Sequence, residues 1–257
     1  MTPRPLLKAC LNGARSRQEH PALPMTPQEL AVDARACVVA GAGAVHLHPR
    51  DSDGRESLRA DVVDPVVAAV RARCGAPVGV ATGAWVEPDP EHRAALVRKW
   101  REPTFASVNL SEPGAKAVMC ALLDGDIGVE AGVWTPEDAE RLAATGLAAR
   151  LMRVLVEIIG GPPETAVDRA RSVEAVLDRH GIVASRLIHG EDSACWPVLQ
   201  HARATGRDTR IGLEDTLRLP DASVASGNEA LVRTAAAIRS FSTQGAPSAP
   251  TLLEADS

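Results

Sequence analysis

LMRVLVEIIGGPPETAVDRARSVEAVLDRHGIVASRLI, residues 151–188, carries one full repeat of the architecture. An apolar run from Leu151 to Ile159 stops at Gly160, Gly161 and two prolines. A helix is predicted over 163–180, and a second apolar run follows from Ile182 to Ile188. Strand, helix, strand in that order predicts parallel strands joined by a helical crossover.

The same unit recurs on both sides. Upstream, the predicted strands are Leu6–Leu11, Ala44–His48, Pro77–Thr82, Phe105–Leu110 and Ile127–Ala131; downstream, the last is Thr209–Leu213. Helices are predicted from Thr26 to Gly41, over 60–73, near 90–101, near 113–123, from Thr135 on, near 194–205 and over 226–242. Thr26 with Pro27 and Glu29 is a capping box with proline at the first helical position, and Thr135, Pro136, Glu137 and Asp138 repeat the signature. Eight β-then-α units in about 250 residues predict a (β/α)8 TIM barrel. The rival is a doubly wound open sheet, disfavoured because no glycine-rich phosphate loop follows the first strand. Nothing divides the chain, so residues 1–244 are read as a single catalytic domain and 245–257, rich in proline and serine, as a frayed tail.

Composition narrows the function. The chain has 257 residues, a net charge of −5, 2% aromatic residues and no tyrosine. A single-strand nucleic-acid binder needs stacking rings and a cationic groove, so that class is excluded. No apolar stretch reaches membrane-spanning length, and the N-terminus has no apolar core of a signal peptide. Five scattered cysteines without a CxxC read as reduced thiols, Cys10 and Cys37 buried, in a cytoplasmic protein.

Polar residues gather where the strands end: Asn12, His46, His48, Thr82, Ser107, Asn109, Glu130, Glu157, His189, Glu191, Glu214 and Asp215. Barrel enzymes build their sites at that C-terminal face. In His46-Leu47-His48 the two imidazoles sit two apart on a strand and share one face, so both point inward. They are either ligands of one divalent ion or hydrogen-bonded core histidines. Arg50 and Asp51 in the following HPRD could orient them. Arg210, Gly212 and Glu214 in RIGLED share a face, and Glu214 could complete a His-His-Glu set, with Gly212 leaving room beside the ion. Asp215 at the loop edge could act as a base with Arg210, or the two could be an ion pair locking the strand end. Glu130 could meet substrate or a cation, whereas Glu157 is expected to pair with an arginine. His20, His92, His180 and His201 are expected at the surface. Asn12–Arg15 could offer an anion site or only a tight turn.

NGARSR, TPQELA, HLHPRD, VATGAW and IGLED follow one another in the order found in the beta-keto acid cleavage enzymes, and over roughly residues 5–240 the chain resembles that family. The resemblance implies a zinc-dependent (β/α)8 acyltransferase, usually a tetramer. It would condense a beta-keto acid with acetyl-CoA to give acetoacetate and a new acyl-CoA. His46, His48 and Glu214 would hold the zinc; Asp215 would be the base and Arg210 its helper. Thr82 or Ala81, Ser107, Asn109 and Glu130 would contact substrate. The member that cleaves 3-keto-5-aminohexanoate carries a glutamate where Arg15 falls here, which implies a neutral or anionic distal group on this chain's substrate. Arg153 and Arg186 are candidates for CoA contacts, and the protein is expected to be a homo-oligomer, dimer or tetramer. Two other readings stand: an amidohydrolase-like metal hydrolase, which would need further histidines after strands five and six, and a ligand-binding barrel without activity.

Overall fold

A computed structural model of the chain describes residues 5–238. The eight strands are β1 (Leu7–Cys10), β2 (Ala44–Leu47), β3 (Val78–Ala81), β4 (Phe105–Asn109), β5 (Gly128–Val133), β6 (Arg153–Ile158), β7 (Ser185–Gly190) and β8 (Thr209–Ile211). They alternate with α1 (Pro27–Ala40), α2 (Ala60–Cys74), α3 (Pro90–Val97), α4 (Ala115–Asp124), α5 (Pro136–Thr145), α6 (Ala166–Arg179), α7 (Cys195–Ala204) and α8 (Asn228–Ala237).

The strands pair in parallel, each with its sequence neighbour, and β1 also pairs with β8 through Leu7↔Thr209, Lys8↔Arg210 and Ala9↔Ile211. β8 reaches β7 through a parallel bridge between Leu187 and Asp208, with Ile188 N donating to Asp208 O at 2.9 Å. The sheet therefore nearly closes on itself as a (β/α)8 barrel, and the open doubly wound alternative falls.

Local chemistry sets the element ends. Thr26 caps α1: its hydroxyl accepts from Glu29 N at 3.3 Å while Glu29 Oε2 accepts from Thr26 N at 3.0 Å. Thr135 and Asp138 make the same reciprocal pair on α5. Among the boundaries that move from the sequence expectation, three have a contact that explains them. β5 runs on to Val133 because Val133 still pairs with Val156 of β6. α3 stops at Val97, and the following turn tucks Trp100 inward so that its indole donates to Leu58 O at 2.8 Å. Ile182 closes the turn after α6 instead of opening β7, its N–H donating to Leu177 O at 3.0 Å. The expected tail from residue 245, and residues 239–242 of the closing helix, lie outside the described residues.

Outward strand residues such as Val45, Leu47, Val78, Val80, Val129, Val154 and Ile188 are buried against the helices. The barrel interior is unlike the branched aliphatic filling common in such barrels. Register aligns Lys8 with Arg210, Cys10 with His46, His46 with Gly79, Gly79 with Phe105, Ser107 with Glu130, and Glu157 with His189. These inward positions carry charge. Lys8, fully buried, pairs with Glu130 and lies 5.4 Å from the centre of the Phe105 ring. Phe105 fits because Gly79 has no side chain; a Cβ there would enter the ring. Arg153 Nε approaches Glu130 at 3.5 Å, which compensates the buried carboxylate from a second side. Arg186 is buried and paired with Glu174 and Asp178.

Candidate metal centre and active site

The C-terminal ends of the strands open into a cavity of about 490 Å3, lined among others by Arg15, His46, His48, Ser107, Asn109, Glu157, Glu191, Arg210 and Glu214. Asn12 fixes the end of β2: its amide donates to His48 O at 2.9 Å and its carbonyl accepts from His48 N at 2.9 Å. Gly13 turns the chain away at φ +54°, where a Cβ would come 2.6 Å from Glu214 Cγ. The NGAR segment is thus a tight turn whose carbonyls, at Gly13 and Arg15, accept from Arg50 at 2.9 Å.

His46, His48 and Glu214 converge, with one ligand atom from each within 4.8 Å of the others. His46 Nε2 is 3.7 Å from one Glu214 oxygen and His48 Nε2 is 3.8 Å from the other. Those gaps are too long for hydrogen bonds. They match two ligands of one ion, which at metal–ligand distances of about 2.1 Å in a tetrahedral set lie ~3.4 Å apart. Glu214 Oε2 is buried with no hydrogen-bond partner, as a carboxylate oxygen reserved for a cation would be. Burial, with Lys8 and His48 nearby, holds the His46 imidazole well below its ordinary pKa. The neutral ring is the form that binds metal. The donor set fits a divalent ion.

His48 is oriented by a residue that the sequence reading passed over. Glu56 Oε2 accepts from His48 Nδ1 at 2.8 Å and from the Trp85 indole at 3.0 Å. A proton held on Nδ1 leaves Nε2 free for the ion. Burial opposes the charge of Glu56, but the bonds from His48 and Trp85 leave its pKa below the ordinary range. Trp85 also stacks on His48, centroids 5.9 Å apart. Arg50 and Asp51 make no hydrogen bond to the histidines: Arg50 ties the Gly13–Arg15 turn to Gly54, and Asp51 holds its own loop.

Arg210 lines the cavity and donates to Asp215 Oδ1 at 2.7 and 2.9 Å and to Glu214 Oε1 at 2.9 Å. Burial disfavours its charge, yet Asp215, with Glu214 and Glu157 beyond it, more than offsets this and raises its pKa. Asp215, in the turn after β8, is fully buried. Gly212 gives its space to the Cys10 carbonyl and the Asn228 side chain, not to an ion.

The remaining candidates divide. Ser107 and Asn109 line the cavity, and Asn109 Nδ2 donates to Glu112 Oε1 at 2.9 Å. Arg15 lines it too, but is bonded to Asp192 at 2.8 Å and Glu19 at 3.2 Å. Thr82 is buried and spends its hydroxyl on Ser107 O at 2.7 Å; Ala81 is the cavity-lining neighbour. Glu130 sits below the cavity with Lys8 and Arg153. Glu157 is in the cavity wall and pairs with His189 at 3.1 Å, not with an arginine. His20 is buried, bonded to Ala225 O at 2.9 Å, and is not a surface residue. The sequence offered no spacing signal for Glu56 or Trp85. Glu157 and His189 did carry one, since both end strands in the same register.

The sequence model of the beta-keto acid cleavage enzymes matches residues 5–246. The chain belongs to that family. A 70-residue stretch is 34% identical to the 3-keto-5-aminohexanoate cleavage enzyme of Fusobacterium nucleatum subsp. nucleatum, covering 27% of this chain and 26% of that enzyme. Among solved structures, ObcA in a ternary complex with a C4-CoA adduct and oxalate superposes with a TM-score of 0.68 at 19% identity, over 83% of this chain and 62% of ObcA. The 3-dehydroquinate dehydratase of Geobacillus kaustophilus HTA426 superposes with a TM-score of 0.58 at 11% identity, over 90% and 89% of the two chains. The two structures speak for the barrel. No helix among the described residues is long and apolar enough to cross a membrane.

Proposed function

We propose that the protein is a zinc-dependent acyltransferase that condenses a beta-keto acid with acetyl-CoA, giving acetoacetate and a new acyl-CoA. The observation that carries this reading is the convergence of His46, His48 and Glu214 beside the cavity-facing Arg210. A divalent ion bound by those three groups would supply Lewis acidity, drawing electron density from the carboxylate and keto oxygens of a beta-keto acid.

The chain's own residues account for the rest. Arg210 brings a permanent cation to the cavity wall and offsets negative charge that develops when C2 loses a proton. Ser107 and Asn109 offer polar groups from the end of β4 to a reacting oxygen. Thr82 and Glu130 act at one remove, Thr82 by holding the Ser107 carbonyl and Glu130 by holding Lys8. Arg15 at the rim would exchange its bond to the exposed Asp192 for an anionic distal group of the substrate. The same reading makes the protein a cytoplasmic homo-oligomer, dimer or tetramer.

The test is a screen of beta-keto acids with acetyl-CoA and zinc, read out as acetoacetate. Formation of acetoacetate from at least one acid is expected, with 3-oxoadipate-like acids preferred over aminated ones. Zinc-loaded protein that turns over none of them is not such an enzyme.

A further inference from the structure

We propose that Glu112 is a positioning residue of this cavity: it fixes the side-chain amide of Asn109 so that the carbonyl edge, and not the whole NH2 group, meets the bound acid. The inference rests on the cavity being where a beta-keto acid binds.

Glu112 lies in the turn between β4 and α4, its own N–H donating to Asn109 O at 3.2 Å. The turn brings its carboxylate back beside the end of β4. Oε1 accepts from Asn109 Nδ2 at 2.9 Å, and Oε2 accepts from the N–H of Ala84, after β3, at 3.0 Å. Arg93 of α3 stands beside Oε2 at 3.6 Å. Arg93 has no exposed surface and is itself held by Glu87 O and Pro113 O. Burial raises the pKa of Glu112, while Asn109, Arg93 and the Ala84 N–H favour its charged form. Each oxygen has its own donor, so turning the carboxylate away would leave N–H groups unbonded.

A side-chain amide is planar, with two N–H donors and one carbonyl acceptor. Once Glu112 holds one N–H, the direction of Asn109 Oδ1 is set. It lies over Gly132, the residue paired with Asn109 across β4 and β5: a Cβ on Gly132 would come 2.5 Å from Asn109 Oδ1. Oδ1 takes no hydrogen bond from the described residues. Asn109 lines the cavity and Glu112 does not. Asn109 therefore meets a ligand with one acceptor and at most one donor, and Glu112 acts only through it.

Glutamine at position 112 would reverse this arrangement without changing its size. Ala84 and Arg93 both turn N–H groups toward Oε2, so the single oxygen of the glutamine belongs there. Its NH2 group then faces Asn109 Nδ2, donor against donor. Asn109 relieves the conflict by turning its amide over, giving Oδ1 to the glutamine and placing its NH2 group over Gly132.

The test is a double-mutant cycle on the zinc-loaded protein, with Glu112→Gln, Asn109→Ala and the two combined. Kinetics use the best acid of the screen, and binding is measured with acetoacetate. E112Q is expected to lower kcat/KM about 10–100-fold and to weaken acetoacetate binding about tenfold, with zinc content unchanged. In the N109A background the same substitution should cost no more than about twofold, because the residue it acts through is gone. NMR of the side-chain amides should show the Asn109 NH2 signals of the free protein shifting in E112Q. Costs that add across the cycle, loss of zinc in E112Q, or unmoved Asn109 signals overturn the proposal; the first two would mean that Glu112 works through Ala84 and the loop it carries. If no acid is turned over and acetoacetate does not bind, the acyltransferase reading fails, and the amide signals still decide whether Glu112 orients Asn109.

Discussion

Two walls of one cavity hold buried ionisable groups, and they are built to opposite ends. On the β2–β8 wall, His46 and His48 face Glu214 at 3.7 and 3.8 Å, with an oxygen of Glu214 left unbonded. On the β6–β7 wall, Glu157 lies 3.1 Å from His189, and Asp215, reaching over from the end of β8, lies 3.5 Å from it. The first spacing leaves a gap that would suit an ion. The second is joined on its Glu157 side by a hydrogen bond to His189. Burying such groups without a counter-charge is costly, so the contents of each wall can be read from the size of its gaps.

The comparison breaks hardest at the ligands. His46→Ala or Glu214→Ala is expected to abolish zinc binding and reduce turnover to background, by metal analysis and the acetoacetate assay. Zinc retained by either variant would place the ion elsewhere. Asp215→Asn cuts the other wall. It should keep zinc while lowering kcat on the order of 10^2–10^4-fold; unchanged turnover would remove the Arg210–Asp215 pair from the machinery. Glu56→Gln sharpens the picture, because Glu56 holds His48 and Trp85 from outside the ligand set. A loss of about 10–100-fold in zinc affinity is expected, measured by competition with a chelator. The smallest effect comes from a paired test of the two glycines that make room for the walls. Gly13→Ala pushes on Glu214 from a left-handed backbone position and should cost about 1–2 kcal/mol in thermal unfolding, with weaker zinc binding. Gly132→Ala pushes on Glu157 and Asn109 and should leave zinc affinity unchanged. Reversed outcomes for the two variants would mean that the walls are not separable.

The barrel was legible because strand–helix alternation is a local signal repeated eight times, and because capping boxes at Thr26 and Thr135 mark helix starts from side-chain chemistry alone. The shared face of His46 and His48 was legible because the two are two apart on a strand, so alternation fixes it. What lay beyond reach were contacts decided by closure. Glu130 and Glu157 both end apolar runs, and sequence alone does not say which is raised into the cavity. Register does: Glu130 aligns with Arg153 low in the barrel, Glu157 with His189 near its mouth. Glu56 holds His48 from eight residues away along an irregular loop, a separation that no periodicity encodes.

The stacking of Trp85 on His48 has a practical consequence. The chain contains four tryptophans and no tyrosine, and two of the four, Trp85 and Trp134, form part of the cavity lining. Half of the indoles in the protein therefore border the reaction chamber, and one lies against a ring that would coordinate the ion. Its intrinsic ultraviolet emission is a built-in gauge of filling, able to follow metal and substrate arrival without any added dye.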